Sequence, residues 1–184
     1  MSYVLITAQT EWFAELPEVK AHLESSSTDD DAYIQELIYA VQSKVEEECD
    51  LGLNTATWEL RLDEFPSDDI EIDFWPVASI VSVKYIDTDG TEQTVTASDY
   101  KTSLTGKPAR VTAYDGYSWP ATKSTWPEAV KVQFTTGFTS PSVIPGDLKQ
   151  ALYMIVADWF EVREDKGRRF DRVSEKILSK YRFR

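Results

Sequence analysis

Chemistry in this chain would have to start from very few residues, since 184 positions hold one histidine and one cysteine. His22 lies two residues from Lys20 with Leu23 beside it, and with no second histidine or cysteine partner it cannot build a zinc site of ordinary composition. A Ser-His-Asp arrangement would have to run through His22, yet there is no Gly-x-Ser-x-Gly elbow to present a nucleophile. Cys49 continues the helical spacing of Val41 and Val45, which predicts a buried thiol; a lone cysteine leaves no disulfide framework. Adjacent carboxylates are common, including Asp68 with Asp69 and the run Glu46, Glu47, Glu48. Acid–base catalysis by two carboxyls needs a cleft that drives their pKa values apart, which adjacency alone does not supply. "DTDG" at Asp87 to Gly90 begins like a calcium loop, but its glycine comes too early and the twelfth position lacks glutamate, so a hairpin turn is the reading. Only 7 glycines occur, with no phosphate-cradling run. The expectation is a chain with no catalytic residue, no metal and no cofactor, and not an enzyme.

The charge pattern says more than these single residues. The net charge is −13, but residues 1–55 hold 12 acids and 2 bases, residues 56–144 hold 13 and 7, and residues 145–184 hold 7 and 10. The closing "REDKGRRFDRVSEKILSKYRFR" sets nine bases against four acids. An acidic body with a basic tail suggests a tail that docks on an acidic partner, whereas the spacing of Phe170, Val173, Ile177 and Tyr181 also fits a solvated amphipathic helix. With bases outnumbered 32 to 19, tight binding to a phosphate backbone is not expected. The opening "MSYVLITAQTEWF" has no basic region before its short apolar run, and no stretch approaches about 20 apolar residues. A protein of the cytoplasm, without a membrane, is the expectation.

The elements that must position these residues change period twice. "LPEVKAHLE" reads as a first helix with Pro17 in its opening turn, and after a Ser-Thr break Asp29, Asp30 and Asp31 are expected to cap a second. Its core face is Ile34, Leu37, Ile38, Val41 and Val45, and Gly52 should end it. From Trp58 the period becomes two. "TWELRLDEF", "DIEIDF", "ARVTAY" and "AVKVQFT" read as strands, and "SIVSVKYIDTDGTEQTV" as two strands around a primed turn at Asp89 and Gly90. After Pro145 the spacing Leu148, Ala151, Leu152, Ile155, Val156, Trp159 is helical again. The fold class is therefore α+β: a small helical bundle carrying an inserted antiparallel β region and a basic C-terminal helix. The divisions expected are N-terminal helices in 1–55, the β insertion in 56–136, a completing helix in 137–164 and the basic tail in 165–184. Trp75, Trp119 and Trp126 each precede a proline; such stiff apolar pairs plug sheet corners or subunit interfaces, or stack on sugars, which keeps a sugar-binding β module of a tail or secreted complex as the alternative.

The order of "LPEVKAHL", "DDDAYIQELIYAVQSKVEE", "TWELRLDEFP", "VASIVSVKYIDTDGTEQ", "SWPAT", "AVKVQFTTGF", "VIPGDLKQALYMIVADWFEVRED" and "ILSKYR" resembles the head-tail connector, or adaptor, proteins of tailed bacteriophages and gene transfer agents. The resemblance implies a head-completion protein of the virion's head-tail interface, assembled in the host cytoplasm. It would form a homo-oligomeric ring, typically a dodecamer, beneath the portal protein and above a neck, stopper or tail-completion protein. On that reading Arg163, Lys166, Arg168, Arg169, Phe170, Arg172, Val173, Ile177, Tyr181 and Arg184 meet the portal. Asp29, Asp30, Asp31, Glu46 and Glu47 would face a channel and repel passing double-stranded DNA, and Trp75, Trp119 and Trp126 would lie at subunit interfaces. The tail should be loosely packed in an isolated subunit, because the body offers its apolar stripe little cover.

Overall fold

The computed structural model describes residues 1–162 and 170–182, which form, in chain order, β1 (Ser2–Thr7), α1 (Leu16–His22), α2 (Asp31–Cys49), β2 (Ala56–Leu62), β3 (Ile70–Ile72), β4 (Val77–Ile86), β5 (Glu92–Thr94), β6 (Tyr100–Ser103), β7 (Ala109–Ala113), β8 (Val130–Thr136), α3 (Gly146–Glu161) and α4 (Arg172–Leu178). Helices and antiparallel sheets together make an α+β protein. Two compact units divide them: Met1–Gln9 with Thr55–Gly137 is the β unit, and Thr10–Asn54 with Phe138–Arg184 is the helical unit.

The β unit is organised around β8, where Val130, Val132 and Phe134 are buried while Lys131, Gln133 and Thr135 are not, as the period of two requires. β8 is the centre of a five-stranded antiparallel sheet in the order β1-β2-β8-β4-β5, with Leu60 opposite Val132 and Trp58 opposite Phe134. A second sheet, β3-β7-β6, contributes Ile70, Ile72, Ala109 and Val111 to the same core. β1 and β6 are strands that the sequence pattern did not reveal. β1 pairs with β2 from Ser2↔Arg61 to Thr7↔Thr57, so residues read among the N-terminal helices supply an edge of the β unit. Tyr3 ties that edge down: its ring packs edge-on against Phe74 at 5.0 Å, and its hydroxyl accepts the Asp73 N–H at 2.9 Å.

The turn between β4 and β5 differs from the primed form. Gly90 N–H donates to the Asp87 carbonyl at 3.0 Å and only Gly90 has positive φ, at 91°. Asp87 makes the turn by accepting the Asp89 and Thr91 N–H groups on its carboxylate at 3.0 and 2.9 Å, so Asp89 is free to keep the ordinary backbone region.

In the helical unit, α2 and α3 pack together through the faces that the 3.6 period marks, Ile34, Leu37, Ile38, Val41, Val45 and Cys49 against Leu148, Ala151, Leu152, Ile155, Val156 and Trp159, all buried. Two end signals lie elsewhere than expected. α2 stops at Asp50, which takes the left-handed conformation at φ 49°, two residues before Gly52. At its start Asp30 makes no side-chain cap; Asp31 instead contacts the Lys20 ammonium, which also donates to the Ser27 carbonyl at 2.7 Å.

Candidate functional site

Of the acidic residues expected to face a channel, Asp29 and Glu47 are exposed and Asp30 and Asp31 half-buried, Asp31 being engaged by Lys20. Glu46 does not belong with them. Its Oε1 turns inward to accept the Leu53 N–H at 2.9 Å and the Gln42 amide at 3.2 Å, and burial pushes its carboxyl up to about 7. Gln42 in turn accepts the Phe13 N–H at 2.8 Å. One turn of α2 thereby fixes the two segments that flank α1 and α2, a structural duty that a run of three glutamates does not advertise.

Residues 170–182 of the C-terminal segment are packed, contrary to the loose tail expected of it. Asp171 caps α4 by accepting the Val173 and Ser174 N–H groups at 2.7 and 3.1 Å, and Ser174 and Leu178 are fully buried where α4 meets α3. The buried row is thus one position on from the apolar stripe: Val173 is 55% exposed, and Phe170, Ile177 and Tyr181 are half-buried. Past the helix, the Tyr181 hydroxyl donates to Asp147 at the start of α3, and Lys180 adds an ion pair at 3.1 Å. The Tyr181 hydrogen bond holds the Asp147 carboxyl below the usual range. Arg182 bridges Glu175 at 2.6 Å and Glu48 at 2.8 Å. Arg172 is exposed. Arg163, Lys166, Arg168, Arg169 and Arg184 lie outside the described residues.

The three tryptophans of the β unit have different surroundings. Lys107 sits 4.3 Å above the Trp75 ring, Trp119 stacks on Phe65 with centroids 4.9 Å apart, and Trp126 is 45% exposed. His22 is exposed and stacks on Tyr153 at 5.2 Å; Cys49 is buried, and burial pushes its thiol up. Among the described residues no group of histidine, cysteine and carboxylate side chains is placed to hold a metal ion, and no helix is long and apolar enough to cross a membrane.

The model of the head completion protein family matches residues 13–171 of the chain. The chain belongs to the head completion protein family. Solved structures share the fold across 99% of this chain and 95% of theirs. One is from the virion of a native gene transfer agent particle (22% identity, TM-score 0.82), one from the neck of an empty particle reconstructed with C6 symmetry (22%, 0.81), and one from the neck of a native particle with C12 symmetry (23%, 0.72). No curated protein matches the sequence.

Proposed function

We propose that this head completion protein is a structural head-tail adaptor of a tailed phage or phage-like particle, forming a ring of identical subunits under the portal through which DNA passes. The observation that carries the reading is the family match over residues 13–171, and the fold shared with proteins from a particle neck supports it. A ring of identical subunits needs two different complementary flanks on each copy. The acidic body suits a wall past which DNA slides: Asp29, Asp30 and Glu47 would repel phosphates and Lys20 partly offsets Asp31, while Glu46 is committed inward.

Portal docking falls to the outward face of the C-terminal segment. Arg172 and Val173 point away from the body, with Phe170 and Ile177 half-buried beside them, while Leu178 keeps the helix seated on α3. The docking element is then a preformed helix, so little chain entropy is lost on binding. Arg163, Lys166, Arg168 and Arg169 would extend the basic surface. The test is a joining assay: heads matured without this chain should accumulate unjoined to tails, and added wild-type protein should restore joining. The double variant Arg172→Glu/Val173→Asp, if folded, should restore much less. Normal joining without the chain would refute the adaptor role; full rescue by the variant would refute the docking face.

A further inference from the structure

The β unit carries a cleft of about 620 Å³ between the loop that follows β2 and the long loop that precedes β8. Its wall is aromatic and braced. Phe65 lies parallel to Trp119, 1° between ring planes, Tyr85 meets Phe65 edge-on at 5.7 Å, and Tyr117 meets Trp119 edge-on at 6.3 Å. Phe65 and Trp119 are nevertheless only partly buried, so the stack presents ring surface to the cleft.

The rim is acidic and uncompensated. Glu64, Asp68 and Asp69 line the cleft, Glu64 and Asp68 exposed and Asp69 half-buried, and none has an ion-pair partner among the described residues. Glu59, Glu71, Glu92 and Glu128 of the β unit are matched, by contrast: Glu71 by Arg110 at 3.1 Å, Glu59 and Glu128 by Arg61, and Glu92 by Lys84 and Lys131. The same three acids and Pro66 also line a second recess of about 550 Å³ that reaches Asp73 and the Glu71–Arg110 pair, so the 64–69 loop borders both recesses.

We propose that this groove is a docking site for an extended, arginine-bearing segment of a partner protein. A planar guanidinium can stack on the Trp119 and Phe65 rings while its fork meets a rim carboxylate, which combines the two features that the cleft offers. Lysine brings the charge without the plane, and nucleic acid or any other polyanion is repelled. The site is distinct from the C-terminal docking face and does not depend on where the chain sits in a particle.

The test uses the full chain labelled with ¹⁵N, with the Trp119 indole signal assigned by its loss in Trp119→Phe. The probes are capped peptides of alternating glycine and arginine, the same peptide with lysine, and maltohexaose as an uncharged sugar. The arginine peptide should shift the Trp119 indole and the 64–69 amides, and bind at least about threefold tighter than the lysine peptide. Asp68→Asn/Asp69→Asn, with the rest of its spectrum unchanged, should weaken that binding at least about threefold, the scale of partly exposed charge pairs. An unmoved Trp119 indole, equal binding of the two peptides, undiminished binding by the double variant, or a shift produced by maltohexaose and not by the peptides would each overturn the proposal.

Discussion

Glu46 should make the stability of the helical unit fall as pH rises, because its carboxyl is removed from water. The carboxyl accepts hydrogen bonds from Leu53 and Gln42, which favour its charged form, but removal from water outweighs them and raises its pKa from 4.5 to about 7. The folded state therefore binds a proton more readily than the unfolded chain. Stability is greatest below the unfolded value and is lost as pH climbs through the folded one. At about 1.4 kcal/mol per unit, the loss is about 3 kcal/mol. Asp87, Glu92, Glu128, Asp147 and Asp171 are shifted downward, so their contributions are present above the ordinary carboxylate range and fade only as pH falls below it, outside the window in question. Glu46→Gln keeps the carbonyl that accepts from Leu53 and removes the charge. Urea unfolding from about pH 5 to about pH 8 should show the wild type losing about 2.5 kcal/mol relative to Glu46→Gln, since part of the loss already falls below pH 5. Parallel curves for the two proteins, or a wild type that gains on the variant toward pH 8, would refute the dominance of desolvation.

Three further substitutions probe other joints. Leu178→Ala removes a fully buried side chain between α4 and α3 and should cost about 2–4 kcal/mol, or undock the segment, read as faster proteolysis after α3 than in wild type. Gly90→Ala forces a side chain into φ 91°, with the Lys123 ammonium 3.0 Å from the new methyl, and should lower hairpin stability by about 1–2 kcal/mol, seen as faster amide exchange in β5. His22→Ala, which removes only an exposed ring stacked on Tyr153, should change thermal stability by less than about 1 kcal/mol and leave head-tail joining at the wild-type level.

How legible the molecule is in its sequence depends on whether order is local. The faces of α2 and α3 are legible because 3.6-residue spacing and burial are the same fact, and β8 because its alternation is strict. β1 is not, since "SYVLIT" lacks alternation and its partner β2 lies some fifty residues on; β6, "YKTS", is a polar edge strand whose only signal is the partner it finds. The register of α4 is misread because a seven-residue helix has only two turns, and contacts beyond it choose the buried row: Asp147 holds Tyr181, and Glu48 holds Arg182. Glu46 is hidden for a similar reason, because a carboxylate in an acidic run looks solvated until the chain returns with Leu53 to meet it.

The most direct measurement is a cryo-EM reconstruction of DNA-filled particles made with this chain, compared with particles made without it. The adaptor reading predicts a closed ring of copies between portal and tail, with the outward face of residues 170–178 against the portal and acidic side chains toward the lumen. Density for the chain elsewhere on the particle, or a neck unchanged by its absence, would contradict it.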